Sequence, residues 1–247
     1  MAQLAALLWD VDGTLAETEF EGHRPAFNAA FADLGLPWHW DAATYRRLLA
    51  VSGGRERIGA WAREREGHPP DSGLLEALLE SKRRHYGLLV RSGAVALRPG
   101  VARLICEAAA AGLQQAIVTT SGRSAVADLI AGSLADLAGA FRFHICGEDV
   151  AIKKPDPEAY RLALQRLDLP AARVLALEDS SNGLRSALGA GLTTLVTLSS
   201  LSRGEPAGAF AGAAAVVEGL DAAPAGSPHC AGPVVTLSCL QSLLPIR

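Results

Sequence analysis

The chain has 247 residues, 49% hydrophobic and 20% charged, with a formal net charge of −3. That length suits one large α/β domain or a core carrying a smaller insert, and that apolar content excludes disorder as a description of the whole. A balance of 23 Lys and Arg against 26 Asp and Glu leaves no global electrostatic footprint for nucleic acid. The positive charge is concentrated: residues 41–98 hold eleven Lys and Arg against seven Asp and Glu, a local +4 that leaves −7 for the remainder. Cys106, Cys146, Cys230 and Cys239 show no C-x-x-C spacing, and no basic-then-apolar leader is present. A reduced, cytoplasmic protein is therefore expected, with cysteines as small core residues or bystanders. Apolar stretches such as Leu4 to Trp9 are far too short to span a bilayer, so no membrane role is expected.

Short apolar runs predict strands at Leu4 to Trp9, Gln115 to Val118, Phe141 to Cys146, Val174 to Leu177 and Thr194 to Thr197. Their continuous hydrophobicity fits strands covered on both faces. Between the later runs, helical spacing predicts Val101 to Ala111, Ser124 to Leu137, Pro157 to Leu167 and Ser181 to Leu188. Ala-Gly-Leu occurs at 111–113 and again at 190–192, where a glycine after the last helical turn takes a left-handed cap. Asp156 before Pro157 reads as an N-cap with proline at the first helical position. The β-α-β-α order predicts a doubly wound parallel sheet. The first two strands lie about a hundred residues apart, far more than one crossover helix needs. Residues 16–97 are accordingly read as an inserted α-helical domain, and residues 1–15 with 98–247 as the α/β core. Residues 202–233 read as surface connection with one edge strand near Val216-Val217, and Thr236 to Leu244 as a final short helix.

In a parallel sheet, the residues that follow each strand share the carboxyl edge, where such sheets bind ligands. Asp10 and Asp12 follow the first strand, Thr119 and Thr120 the second, Lys153 and Lys154 the third, and Glu178 and Asp179 the fourth. Carboxylates this close repel unless a cation lies between them, and hard oxygen ligands point to Mg²⁺.

The stretches Asp10-Val11-Asp12-Gly13-Thr14-Leu15, Thr119-Thr120-Ser121, Lys154-Pro155 and Glu178-Asp179-Ser180-Ser181-Asn182-Gly183 resemble, in order and strand context, the haloacid dehalogenase-like (HAD) phosphohydrolases. The resemblance implies a Rossmann-like core with a helical cap, as in phosphoglycolate phosphatases, β-phosphoglucomutases and CbbY-like sugar-bisphosphate phosphatases. Leu15-Ala16-Glu17-Thr18-Glu19, Gly53-Gly54-Arg55-Glu56-Arg57-Ile58 and Ala96-Leu97-Arg98-Pro99-Gly100 are most similar to the CbbY-like group. Between Glu19 and His23 the chain carries one residue more than that group's pattern.

The resemblance implies a phosphoric monoester hydrolase in which Asp10 attacks phosphorus, forming an aspartyl phosphate. Asp12 would protonate the leaving oxygen through a raised pKa and then deprotonate water. The implied Mg²⁺ ligands are Asp10, the Asp12 carbonyl, Asp179 and Glu178, the last directly or through water. Thr119, the Thr120 N–H and Lys154 would hold the phosphoryl group. In the cap, Glu17, His23, Arg46, Gly53, Gly54, Arg55 and Lys82 are the expected substrate contacts, the cations facing a second phosphate. Blander readings are preferred elsewhere. Arg63, Arg65, Arg83, Arg84 and Lys153 read as solvated charges, Trp38 and Trp40 as cap core, and His229 beside Cys230 as incidental. The expected partner is a small phosphorylated sugar, best xylulose 1,5-bisphosphate, taken by a monomer that binds neither nucleic acid nor membrane. The alternatives are β-phosphoglucomutase, phosphoglycolate phosphatase, or a catalytically silent binding protein. The last would have lost Asp10 or Lys154.

Overall fold

The computed structural model describes residues 3–51, 53–206, 208–221 and 233–245. Its apolar runs form β1 (Ala6–Trp9), β2 (Gln114–Val118), β3 (His144–Ile145), β4 (Val174–Glu178), β5 (Thr193–Thr197) and β6 (Ala215–Val217). All pairs are parallel, in the order β3-β2-β1-β4-β5-β6. β1 and β4 are buried at every position because helices cover both sheet faces. Leu7 and Trp9 face the side packed by α5 (Val101–Ala110), α6 (Arg123–Ala131) and α9 (Leu237–Leu243). Ala6 and Leu8 face α7 (Glu158–Leu167) and α8 (Ser181–Gly189), as the two-residue period of a strand requires. This is the doubly wound architecture that the alternation of elements implied.

Gly112 and Gly191 adopt φ of 74° and 77°, the left-handed caps expected of the two Ala-Gly-Leu sequences. Three elements differ from expectation. The third strand is two residues long, because it is an edge strand that β2 alone pairs. The predicted helix over 124–137 breaks at Gly132, where Val90 of the neighbouring helix leaves no room for a side chain, and ends in a 3₁₀ turn at Ala135–Ala140. Helix α7 starts at Glu158 rather than Pro157, with Asp156 Oδ1 still accepting the Glu158 N–H at 2.9 Å. Cys239 is disulfide-bonded, so the expectation of uniformly reduced thiols fails for it. The pair His229 and Cys230 lies outside the described residues. Among the described residues, no helix is long and apolar enough to cross a membrane.

Between β1 and β2 come a π-helical turn (Glu19–His23) and α1 (Arg24–Asp33), α2 (Ala42–Leu48), α3 (Gly54–Glu66) and α4 (Ser72–Arg91). These helices have an aromatic core of their own. The Trp40 ring lies 4.7, 4.9, 5.8 and 6.1 Å from Phe27, Phe31, Tyr45 and Trp61, and Trp38 is 5% exposed, so both tryptophans are packing residues. Asp41 and Asp71 cap α2 and α4 through the N–H groups of Thr44 and Leu74. Tyr86, Val90 and Val95 join the core beneath the sheet's helices and fasten the cap to it.

Arg98 closes the hinge. Its buried guanidinium donates to the carbonyls of Gly13, Thr197 at 3.2 Å and Leu198 at 2.6 Å, and stands 3.3 Å from Glu17. Arg98→Ala strands those carbonyls away from water and is expected to lower the unfolding free energy by about 3 kcal/mol. A urea titration showing a change under about 0.5 kcal/mol, the range of ordinary surface substitutions, would show the clamp to be dispensable.

Candidate active site

Asp10 follows β1, Glu178 ends β4, and Asp179 comes next. One oxygen from each lies within 4.8 Å of the other two, and all three residues are buried. Lys154 enters from the loop after β3. Its Nζ donates to Asp10 Oδ1 at 2.7 Å, Glu178 Oε1 at 2.7 Å and the Val118 carbonyl at 2.8 Å. Tyr160 on α7 donates its hydroxyl to the same Glu178 oxygen, and its ring lies 5.0 Å from Lys154 Nζ.

One ammonium therefore faces three buried carboxylates. Burial pushes Asp10 up to about 8, with Glu178 and Asp12 adding to the rise and Lys154 opposing it. Burial, then the Asp10 charge, likewise drives Asp179 well above the carboxylate range. Burial alone would lower Lys154, but Asp10 and Glu178 outweigh it and raise its pKa, so it keeps its charge. The excess negative charge calls for a cation. Glu178 Oε2 is buried with no hydrogen-bond partner. A Cβ at Gly183 would overlap that oxygen, and one at Gly13, where φ is 86°, would overlap Asp179 Oδ2. Glycines thus let the backbone approach both carboxylates. An all-oxygen, anionic donor set with one orphaned oxygen fits a hard divalent ion such as Mg²⁺.

Asp12 is held by donors on both oxygens. Oδ1 accepts from the Thr18 hydroxyl and from His23 Nε2 at 3.0 Å, and Oδ2 from the Ser121 hydroxyl. Burial would raise its pKa, but His23, Ser121 and Thr18 together hold it well below the usual carboxylate range. The raised Asp12 pKa expected from the sequence is therefore reversed, because these donors favour the ionised form. Lys82 Nζ lies 2.9 Å from His23 Nδ1. An ammonium only donates, so Nδ1 accepts, and Nε2 carries the proton given to Asp12. Burial of this cap-helix side chain lowers Lys82 to about 8 against the pull of Glu19 and Asp12. The extra residue between Glu19 and His23 is absorbed by the π-helical turn, whose closing bond runs from the Arg24 N–H to the Glu19 carbonyl. His23 then stacks on Tyr86 at 4.4 Å.

Cap and core enclose a cavity of about 380 Å³ that includes Asp12, His23, Gly53, Gly54, Arg55, Lys82, Thr120 and Ser121. A neighbouring cavity of about 570 Å³ reaches Asp10, Lys154, Asp179 and Arg46. Arg55 is half exposed and pairs with Glu76. Arg46 is exposed and lies over the Phe20 ring at 5.4 Å. Two expected residues point elsewhere. Glu17 accepts from the Ser200 hydroxyl at 2.8 Å and borders a separate hinge cavity with Arg98 and Pro99. The buried Thr119 hydroxyl accepts the Ser121 N–H at 3.1 Å, and Thr119 lines neither cavity of the cleft.

Other residues enter unforeseen. Ser121 and Thr18 lay within the quoted motifs, but nothing in their order showed that both would donate to Asp12. Lys153, read as solvated, reaches across the cleft to Glu56 at 3.2 Å. Arg83 is half exposed as expected, yet it borders the cavity. Tyr160 gave no signal, since its role arises only when α7 packs under β4.

A parallel α/β core with these carboxylates and a lysine at one sheet edge, beneath a helical cap, defines a hydrolase class, and a family model of haloacid dehalogenase-like hydrolases matches residues 4–191. The chain belongs to that family, and it is a phosphatase. It is 48% identical over 204 residues to Protein CbbY of Rhodobacter capsulatus, covering 82% of this chain and 89% of that one. The crystal structure of CbbY from Rhodobacter sphaeroides with phosphate matches with a TM-score of 0.82 at 44% identity, over 88% of this chain and 95% of that one. The D10N mutant of that protein, in complex with xylulose 1,5-bisphosphate, matches at 0.81 and 43%, with the same coverage.

Because burial raises both Asp10 and Asp179 above the usual carboxylate range, a cation that needs their carboxylates must displace protons that they hold. Mg²⁺ affinity is expected to rise with pH across the neutral range. Calorimetry in two buffers of different ionisation enthalpy reads that proton release. A pH-independent affinity without release contradicts it.

Proposed function

We propose that the protein is a Mg²⁺-dependent phosphatase that hydrolyses a small phosphorylated sugar through an aspartyl phosphate, with xylulose 1,5-bisphosphate giving xylulose 5-phosphate as substrate and product. The observation that carries this reading is the Lys154-centred carboxylate cluster opening into a cap-covered cleft. Lys154 occupies Asp10 Oδ1, which leaves Oδ2 to attack phosphorus. That step forms the Asp10–phosphorus bond and breaks the bond from phosphorus to the sugar oxygen. The leaving oxygen then needs a proton, and Asp12 is the carboxylate placed between core and cap to give it. The line Lys82, His23, Asp12 supplies a path: His23 passes Nε2–H to Asp12 as Lys82 passes a proton to Nδ1. In the second step Asp12 removes a proton from the water that splits the phosphoenzyme.

Asp10, Glu178, Asp179 and the Asp12 carbonyl are the proposed Mg²⁺ ligands. The bound ion would neutralise charge on the phosphoryl oxygens. Lys154, the Thr120 N–H and, through the turn it organises, Thr119 would orient that group. Arg55, Lys82 and Arg46, with Gly53 and Gly54 leaving room, would meet the distal phosphate, and His23 the sugar. Glu17 would act from the hinge through Arg98. A monomer in the cytoplasm completes the reading, on composition alone. The similarity to a CbbY that binds xylulose 1,5-bisphosphate favours this over a phosphoglucomutase, which would use the same core residues to return the phosphoryl group to sugar. Intact Asp10, Asp12, Lys154 and Asp179 disfavour a silent scaffold.

Phosphate release with Mg²⁺ over xylulose 1,5-bisphosphate, ribulose 1,5-bisphosphate, phosphoglycolate and β-glucose 1-phosphate is the direct test. Preference for the first is expected, with a loss of roughly 10³-fold or more in Asp10→Asn. Glucose 6-phosphate formed with little free phosphate would establish the mutase instead, and full activity in Asp10→Asn would sink the mechanism.

A further inference from the structure

The proposed reaction assigns Tyr160 no task, although this residue reaches the carboxylate cluster from a helix outside the loops of the sheet edge. Tyr160 lies on α7, fully buried in the core between α7, α8 and the sheet. Its hydroxyl donates to Glu178 Oε1, the oxygen that also accepts from Lys154 Nζ at 2.7 Å. A carboxylate oxygen has about two lone-pair directions, so these two donors fill Oε1. Oε2 is buried with no hydrogen-bond partner among the described residues. Glu178 therefore has a single oxygen to offer an incoming cation. Packing alone would be served by a phenylalanine, and Lys154 alone neutralises the carboxylate. Neither accounts for a hydroxyl placed on Oε1.

That count bears on which ion the site takes. Ca²⁺ gathers about six to eight oxygens in flexible geometry and readily takes both oxygens of one carboxylate, whereas Mg²⁺ is smaller and demands near-ideal octahedral geometry. The two oxygens of a chelating carboxylate sit too close together to span an octahedral edge without distortion. A glutamate restricted to one oxygen thus costs Mg²⁺ nothing and denies Ca²⁺ a ligand. We propose that Tyr160 is a positioning residue that sets the ion selectivity of the site: its hydroxyl, with Lys154, withholds Oε1, so that Glu178 binds through Oε2 alone and Mg²⁺ is favoured over Ca²⁺. This rests on the Mg²⁺ reading above and supplies a cause for the choice of ion. Partners that orient a ligand from outside the metal's own shell act in this way, by limiting what the ligand can present. Here that partner is delivered by the packing of α7 under β4.

The test measures Mg²⁺ and Ca²⁺ dissociation constants of the full chain by calorimetry, at one pH, in wild type and Tyr160→Phe. The variant keeps the ring, which lies 5.0 Å from Lys154 Nζ, and thermal melts confirm folding. Wild type should bind Mg²⁺ the more tightly. In Tyr160→Phe, Mg²⁺ affinity should fall about tenfold, the lower end of what losing such a partner costs. Ca²⁺ affinity should hold or rise, so that the preference for Mg²⁺ shrinks at least about fivefold. The ratio is the reading that matters, because a general loosening of the core would weaken both ions alike. Ca²⁺ should also inhibit Mg²⁺-supported turnover of p-nitrophenyl phosphate at lower concentration in the variant than in wild type. Equal losses for the two ions, no change, or a wild type that binds Ca²⁺ as tightly as Mg²⁺ overturn the inference and leave the carboxylate cluster standing as a metal site. A wild type that binds neither ion, or binds both undiminished after Asp179→Asn, overturns the inference and the metal reading together.

Discussion

Three buried carboxylates gathered around one buried ammonium, which bonds two of them, are the constraint around which this molecule is arranged. Such a cluster is costly, since each group has left water and the carboxylates outnumber the ammonium by two. It persists because a parallel sheet forces it: β1, β2 and β4 end side by side, and whatever follows them meets at one edge. The rest of the core holds that edge still. Tyr160 and the Val118 carbonyl fix Lys154 and Glu178, and Gly13 and Gly183 bring backbone close enough to crowd the carboxylates together.

The cap supplies what the edge lacks. From that positively charged segment, folding brings Lys82 and Arg57 to one wall of the cleft, Lys82 over the Phe27 and Tyr86 rings and Arg57 over that of Tyr45. Asp12 belongs to both halves. It follows β1, yet Thr18 and His23 on the cap side join Ser121 on the core side in holding it. The ionised form of Asp12 therefore depends on donors from both sides of the cleft.

Much of the core was legible because its signals are local. Continuous apolar runs mark strands covered on both faces, and Ala-Gly-Leu marks a helix end wherever it falls. The errors arose where a neighbour decided. The helix stops at Gly132, where Val90 leaves no room for a side chain, and the third strand is short because it has a partner on one side only. At the site, Lys153 and Thr119 exchanged their expected surroundings: the lysine crosses the cleft to Glu56, and the threonine turns into its own loop. The raised pKa assigned to Asp12 failed for the same reason, since its three donors come from residues 18, 23 and 121.

By itself the sequence determined the parallel α/β core, the helical insert, and the identity of the residues at the carboxyl edge. Strand order and chain direction place those residues whatever the detailed packing. Only the tertiary structure decided how they are wired: which oxygen of Glu178 is orphaned, which way Asp12 titrates, how a π-helical turn absorbs an extra residue, and that Glu19 faces the cleft anchored by Tyr45 and Arg57. The physical reason is range. Burial and period act along the chain and can be read from it, whereas hydrogen bonds and desolvation act over a few ångströms, between groups that folding alone brings together.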